Sequence, residues 1–238
     1  MPLILLEGDV GTGKTVLAET VGDALARHIG DGAHVHLLKI NTQVRGTGQV
    51  GEMSDLIVQA FQHAEQRARQ RHGDPILLLL DEADALAASR EVQQMHHEDK
   101  AGLDTLLQRL DTLRHSQLRI AALFITNRPE ALDPAIRRRA ALDLHFDRPD
   151  DATRAQLFRS ALPELNLAET DVRQLVVLTG AKASKNGQTP FTASDITDRL
   201  IPAALRRAYQ EQRDLRASDL TDEAANMRPS PRWGYRQS

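Results

Sequence analysis

Residues 8–15 restrict the folds open to this chain more than any other segment. They read GDVGTGKT and fit the pattern G-x-x-x-x-G-K-[ST]. An apolar run at residues 3–6 precedes them, and residues 14–28 carry apolar side chains at helical spacing. A strand, a glycine-rich turn and a helix in this order are typical of α/β proteins that bind phosphate at the N-terminus of the helix.

The whole loop is predicted to hold a nucleotide. Its glycines let backbone N–H groups turn inward around phosphate oxygens. Lys14 supplies a point charge for the β- and γ-phosphates, and the Thr15 hydroxyl is a ligand for Mg²⁺. The candidate binding residues of the loop are Gly8, Asp9, Val10, Gly11, Thr12, Gly13, Lys14 and Thr15.

Two carboxylates follow a run of five aliphatic residues at 76–80. Such a run predicts a strand buried on both faces, and its carboxyl end lies at the edge where open α/β sheets bind ligands. Asp81 is therefore a candidate binding residue and Mg²⁺ ligand. Glu82 is the candidate base that holds and deprotonates a water molecule for attack on the γ-phosphorus.

Asn127 repeats this geometry after the apolar run at residues 121–125. Its amide could hydrogen-bond the attacking water or the γ-phosphate. A lone Asn is an ordinary turn residue, but with the other two motifs a sensing role is favoured.

Strand and helix patterns alternate over the first 148 residues, which predicts a parallel sheet covered on both faces. Pro149 and the aspartates after it mark a boundary, beyond which only helical patterns follow. We expect a nucleotide-binding α/β domain at 1–148, a small all-helical domain at 149–213 and a loosely attached tail at 214–238. The predicted strands are 3–6, 34–40, 76–80, 119–125 and 142–146, and the predicted helices are 14–28, 51–71, 84–90, 99–113, 152–162, 169–179 and 193–213.

Composition excludes several classes of function. The chain has no cysteine, so disulfides and thiolate metal sites are excluded. Its net charge is -3 and aromatic residues make up 3%, which disfavours direct nucleic-acid binding. No apolar run approaches the length of a membrane span and no signal peptide is visible, so a cytoplasmic protein is expected. The adjacent His96 and His97 are better explained by a loop than by a metal site.

Three stretches resemble the AAA+ ATPases: residues 81–90, 126–139 and 191–196. The resemblance implies a five-stranded P-loop module with a helical lid and Mg²⁺-dependent ATP hydrolysis. It also implies a ring, usually a hexamer, with ATP bound between subunits. It makes Asn127 a sensor residue and favours Arg139, over Arg137 and Arg138, as the arginine finger. Ser194 stands where the lid arginine of the family is aligned.

Residues 45–53 and 95–102 resemble the bacterial relatives of the pachytene-checkpoint AAA+ remodellers. That resemblance implies a HORMA-domain protein as substrate, within anti-phage signalling systems that use cyclic nucleotides. It places pore loops at residues 44–50 and 91–99. Because the first strand starts so early, we expect the substrate-binding domain of the family to be missing from this chain.

Two other functions remain open on the same fold. A nucleic-acid loader or motor is disfavoured by the charge and the few aromatic residues. An ATP-gated interaction scaffold without turnover is disfavoured by Glu82, since a protein that only switches has no need of a catalytic base.

Overall fold

The computed structural model describes residues 2–30, 32–40, 52–70, 74–86, 97–181 and 189–232. The chain divides into two compact units. The large unit comprises Met1–Gly8 and Lys14–His145, and the small unit comprises Asp9–Gly13 and Phe146–Ser238. Residues 9–13 of the glycine-rich loop thus group with the small unit.

A five-stranded sheet forms the centre of the large unit, in the order β2-β3-β4-β1-β5. Strands β1, β4, β3 and β2 pair in parallel, so the predicted parallel α/β sheet is confirmed. Every residue of β3 is buried, as the aliphatic run at 76–80 predicts. The strands are β1 (Leu3–Gly8), β2 (His36–Ile40), β3 (Ile76–Leu80), β4 (Ile120–Thr126) and β5 (Ala140–Phe146).

Helices cover both faces of this sheet. On one face α2 and α4 pack together, and Phe61 and Leu106 join Leu78 in the main hydrophobic cluster. On the other face α1 packs against β1, β2 and β4, and Gly22 approaches Leu77. The helices of the large unit are α1 (Lys14–Ile29), α2 (Glu52–Gln70), α3 (Ala83–Leu86), α4 (His97–His115) and α5 (Pro134–Arg137).

The described part of the small unit contains only helices and their connections from Asp151 onward. It has its own hydrophobic cluster, which includes Phe158, Phe191 and Leu220. A six-residue π-helical segment, Asp195–Leu200, precedes α8, and Pro202 lies in the first turn of that helix. The helix predicted at 193–213 is helical from residue 193 to residue 210 and contains this π-helical segment just before Pro202, which lacks a backbone N–H donor. The helices are α6 (Asp151–Ala161), α7 (Glu169–Leu178), α8 (Ile201–Gln210) and α9 (Ala217–Asn226).

The expectation of a loosely attached tail from residue 214 is wrong for the part that the structure describes. Helix α9 lies there, and its Leu220 and Ala224 are buried in the hydrophobic cluster of the small unit. The sequence gives little sign of this helix, because Leu220 is its only large apolar residue. At its N-terminus the Asp219 carboxylate accepts a hydrogen bond from the backbone N–H of Arg216.

Among the helices that the structure describes, none combines the length and the hydropathy of a membrane-spanning segment. Residues 44–50 and 91–96, which carry most of the two predicted pore loops, lie outside the described residues. The same holds for residues 45–51 and for residue 95 of the stretches used to assign the subfamily.

Candidate active site

Three strand ends meet at one edge of the sheet. Strand β4 lies between β3 and β1, so its carboxyl end has the other two motifs on either side. Glu7 is level with Thr126 and Leu80 is level with Phe124. The topology therefore brings the start of the glycine-rich loop, the Asp81–Glu82 pair and Asn127 to the same edge.

The backbone of the loop has the geometry of an anion-binding turn. Gly8, Gly11 and Gly13 have φ angles of 138°, 73° and 100°, values that L side chains rarely adopt. Lys14 is 4% exposed, and its Nζ donates a 3.0 Å hydrogen bond to the carbonyl oxygen of Gly8. The ammonium group thus lies beside the backbone of the loop to which it belongs.

Thr15 and Asp81 come together from different elements of the large unit. The Thr15 hydroxyl donates to Asp81 Oδ2 over 3.3 Å, and the backbone N–H of Glu82 donates to Oδ1 over 2.9 Å. Lys39 Nζ lies 3.8 Å from Oδ2. A hydroxyl and a carboxylate oxygen this close are hard oxygen ligands of the type that Mg²⁺ selects, so the residues fit that ion.

Glu82 adopts a strained backbone conformation. Its φ angle is 54°, in the left-handed region that non-glycine residues enter at a cost of about 1–3 kcal/mol. The residue is exposed, and among the described residues its carboxylate has no hydrogen-bond or ion-pair partner. Such strain is concentrated at functional sites, where the surrounding structure fixes the direction of a side chain.

Asp84 ties the second motif to the third. Its Oδ1 accepts a 2.8 Å hydrogen bond from Thr126 Oγ1, which in turn accepts from the backbone N–H of Arg128. Asn127 lies between these two residues and is half-buried. The sequence placed Asp84 only in a stretch of family resemblance, although its position three residues after Asp81 was the available signal.

The three consecutive arginines occupy different environments. Arg137 donates to Glu7 and to the carbonyl oxygen of Pro129. Arg139 forms a two-point pair with Asp111, with both contacts at 2.8 Å. Arg138 is exposed and makes no side-chain hydrogen bond or ion pair within the described residues. Arg139 remains the predicted finger, although it has an intrachain partner.

Within the small unit, loop residues 9–13 have contacts that the sequence did not predict. Arg148 pairs with Asp9, and the backbone N–H of Ser194 donates to the carbonyl oxygen of Gly11 over 3.0 Å. A Cβ at Gly11 would lie 2.8 Å from Ser194 Cβ and 2.9 Å from Thr192 Oγ1. Pairing between side chains so distant in sequence leaves no periodic signal, so only the fold reveals it.

Residues 4–149 match the family model described as "ATPase family associated with various cellular activities (AAA)". The chain belongs to the AAA family of ATPases. Membership in this family implies that the chain binds a nucleotide with Mg²⁺ and, in general, has ATPase activity.

Similar proteins narrow the position of the chain within AAA. It is 46% identical over 214 residues to CD-NTase-associated protein 6 of Escherichia coli strain MS 115-1, covering 87% of this chain and 68% of that protein. It superposes with a TM-score of 0.86 and 43% identity on a chain of the E. coli MS115-1 HORMA:CdnC:Trip13 complex, covering 98% of this chain and 76% of the other.

A third relative is Trip13 from Rhizobiales, with a TM-score of 0.74 and 34% identity over 97% of this chain and 75% of that one. The predicted resemblance to the AAA+ ATPases, and to their bacterial pachytene-checkpoint-type members, is confirmed by these matches.

Proposed function

We propose that this AAA chain hydrolyses ATP and uses the energy to remodel a HORMA-domain protein in an anti-phage signalling system. The observation that carries the ATPase part is the Thr15–Asp81 contact of 3.3 Å, with the exposed Glu82 next to it. Two oxygen ligands and an unpaired carboxylate at one sheet edge are what in-line attack of water on a phosphate requires.

Binding of the triphosphate is assigned to residues 8–15. The positive φ angles of Gly11 and Gly13 shape a turn that presents backbone N–H groups to an anion, and Lys14 adds a full positive charge. Thr15 and Asp81 would hold Mg²⁺, which supplies charge neutralisation to the β- and γ-phosphate oxygens when bound.

Glu82 is assigned the proton transfer. Its carboxylate accepts a proton from water as the oxygen of that water forms its bond to the γ-phosphorus, and the β–γ bridging oxygen leaves with ADP. The half-buried Asn127, at the end of the neighbouring strand, orients the same water or the γ-phosphate. Arg139 is assigned to stabilise charge on the phosphate of an adjacent subunit, which requires an oligomer, expected to be a hexamer.

The substrate assignment follows from the relatives. One similar protein is named CD-NTase-associated protein 6, and the superposed structure contains HORMA and CdnC beside Trip13. Identity of 43% over 98% of this chain supports transfer of the HORMA partner to this protein. We propose that residues 1–148 form the nucleotide-binding domain and that residues 149–213 form the lid. We also propose that the protein acts on this partner in the cytoplasm.

The decisive experiment compares Glu82→Gln with Lys14→Ala. Glu82→Gln should bind ATP with nearly unchanged affinity and lose at least about a hundredfold in turnover, because the base but no phosphate contact is removed. Lys14→Ala should lose affinity itself. ATP binding is followed with a fluorescent analogue and turnover by phosphate release.

Glu130→Gln is the matched control, because Glu130 is also an exposed glutamate close to the end of a sheet strand. It should keep both affinity and turnover. Full steady-state ATPase in Glu82→Gln would overturn the mechanism. Substrate release is tested with a version that includes the substrate-binding domain expected of the family. Failure of that version to release a HORMA-type protein from its bound peptide, with ATPase intact, would overturn the substrate assignment alone.

A further inference from the structure

The phosphate-binding loop of this chain contains an acidic residue. Asp9 is the second residue of the loop, where the surrounding backbone geometry favours anions. A carboxylate there works against that geometry. Repulsion between this carboxylate and a bound phosphate need be only about 1.4 kcal/mol to weaken binding tenfold.

Arg148 forms an ion pair with the Asp9 carboxylate. Its Nε donates to Asp9 Oδ2 over 2.7 Å, and its Nη2 lies 2.7 Å from the same oxygen without hydrogen-bond geometry. Nη1 donates to the carbonyl oxygen of Pro190 over 2.7 Å. The Arg148 side chain is 4% exposed and that of Asp9 is 16% exposed, so the pair is largely shielded from water and from salt.

The other oxygen of the Asp9 carboxylate is also engaged, because Oδ1 accepts a 2.9 Å hydrogen bond from the backbone N–H of Val10. The carboxylate is therefore held at both oxygens, one by the loop and one by the guanidinium. Its charge and its direction are both fixed by named contacts within the small unit.

We infer that Arg148 is a positioning residue for nucleotide binding: it neutralises Asp9 and holds that carboxylate in a fixed place, so that the loop accepts a polyphosphate. The inference rests on the proposed ATP-binding function. Arg148 acts through Asp9 and needs no contact with the nucleotide.

The contribution of Arg148 is electrostatic rather than a general attachment of the loop. Loop residue Gly11 is attached independently, because its carbonyl oxygen accepts a 3.0 Å hydrogen bond from the backbone N–H of Ser194. Removal of the guanidinium leaves this hydrogen bond in place. What it takes away is the positive charge that faces the Asp9 carboxylate in the phosphate-binding loop.

Arg154 provides a matched comparison in the same unit. Its side chain is also 4% exposed, and it also bonds one carboxylate, of Asp151, and one backbone carbonyl, of Pro149. Neither partner belongs to the phosphate-binding loop. Arg154→Gln therefore reproduces the loss of a buried arginine without the loss of charge compensation at Asp9.

The test is a charge-rescue experiment on the full chain with MgATP. Arg148→Gln should weaken ATP binding by about tenfold, because the charge of Asp9 then repels the phosphates. Asp9→Asn should bind ATP a few-fold more tightly than the wild type, because the charge of Arg148 is then no longer neutralised. The double variant Asp9→Asn/Arg148→Gln should regain the affinity of the wild type to within about twofold, because the pair again carries no net charge.

Rescue separates charge compensation from a structural role, since Asp9→Asn cannot restore the lost bond to Pro190. Arg154→Gln should bind ATP with the affinity of the wild type. Adding Asp9→Asn to Arg154→Gln should change the ATP affinity by no more than Asp9→Asn changes it in the wild type. If Arg148→Gln fails to fold, Arg148→Lys preserves the charge and should bind ATP within about threefold of the wild type.

Unchanged affinity in Arg148→Gln, or a double variant as weak as Arg148→Gln, would overturn the role of Arg148. Weakening by Asp9→Asn equal to that of Arg148→Gln would do the same, because the pair would then act through shape alone. A wild-type chain that binds no ATP, like Lys14→Ala, would instead contradict the proposed function on which the inference rests.

Discussion

The two units of this chain are stabilised by different kinds of interaction. In the large unit, Leu78, Leu79 and Leu80 are completely buried, within an apolar sheet between helices. In the small unit the apolar cluster is smaller, and the buried carboxylates of Asp195 and Asp219 organise the backbone around it. An apolar core depends little on pH, whereas stability that depends on buried carboxylates requires them to be ionised.

Asp195 shows how this works. It is 0% exposed and accepts hydrogen bonds from Thr192, from both the backbone and the side chain of Ser230, and from Arg199. Burial raises the pKa of this carboxyl, but the hydrogen bonds from Ser230, Thr192 and Arg199 outweigh that effect and hold the pKa below its usual value. One carboxylate therefore joins the start of the π-helical segment to the chain beyond α9.

Asp195→Ala is expected to have the largest effect, a loss of about 3–5 kcal/mol in the free energy of unfolding of the small unit. The reason is that buried donors of Thr192 and Ser230 lose their acceptor. Hydrogen exchange followed by mass spectrometry should show faster exchange in α8 and α9, with little change in β3 and β4.

Leu78→Ala is the reciprocal variant, because it removes completely buried aliphatic volume from the large unit and should cost about 2–5 kcal/mol there. Its faster exchange should lie in β3 and its neighbours. If Asp195→Ala accelerates hydrogen exchange equally in both units, the small unit does not depend on this buried carboxylate more than the large unit does.

The same contrast explains which parts of the molecule could be predicted from the sequence. Aliphatic runs followed by polar residues identify β1, β3 and β4, and parallel strands must bring Asp81 and Asn127 to one edge. The Arg148–Asp9 pair joins residues 139 positions apart, and neither residue occurs in a periodic pattern. Helix α9 was missed for a related reason, since its polar N-terminal contact substitutes for apolar periodicity.

Thr192 and Asp195 are an instructive intermediate case. Their spacing predicts a capping box, and the structure shows both reciprocal hydrogen bonds at 3.0 Å. The added bonds from Ser230 come from 35 residues away and could not be inferred. Local polar signals are therefore readable from the sequence, and distant ones are not.

Gly11→Ala is expected to have the next largest effect, about 2–4 kcal/mol of destabilisation. The new Cβ meets Ser194 at 2.8 Å and Thr192 at 2.9 Å, in addition to strain at a φ of +73°. Gly13→Ala meets no atom within 4 Å and pays only for its φ of +100°, about 1–2 kcal/mol.

Thermal unfolding of the two alanine variants, followed by circular dichroism, tests this difference within a single loop. Gly11→Ala should unfold at the lower temperature. Equal losses would mean that the contacts of Gly11 with Ser194 and Thr192 contribute nothing to the stability of the small unit.

Asp219→Asn should cost about 1–3 kcal/mol at neutral pH. A hydrogen bond from Arg213, made at 2.6 Å and 2.7 Å, is the main reason that the pKa of Asp219 falls from 3.8 to about 2. Because the folded-state pKa lies below the unfolded value, this stabilisation is complete above about pH 4 and is lost as pH falls toward 2. Urea midpoints at a series of pH values measure it.

The difference between wild type and Asp219→Asn should therefore narrow on acidification. Asp222→Asn is the control in the same helix, since Asp222 is 56% exposed and meets Arg207 only at 3.3 Å. A surface pair of this kind should contribute well under about 1 kcal/mol. A constant difference between wild type and Asp219→Asn down to pH 2 would contradict the assignment of the pKa shift to Asp219.

The smallest effect on stability is expected for Asp111→Asn, below about 1 kcal/mol, because Asp111 is 47% exposed and Arg139 is 27% exposed. The Asp111→Asn variant is more informative about catalysis than about stability. Arg139→Ala should abolish turnover and leave ATP binding nearly intact if Arg139 serves an adjacent subunit. Asp111→Asn should then keep turnover or raise it, since it releases the guanidinium from its intrachain partner.

Arg138→Ala tests the alternative finger residue, because Arg138 is exposed and has no side-chain partner among the described residues. If Arg138→Ala loses turnover while Arg139→Ala stays active, the arginine finger is Arg138. The Arg139–Asp111 pair is then only a surface contact of the large unit. Phosphate release measured at several protein concentrations separates these outcomes, because a residue that acts across a subunit boundary affects only the assembled form.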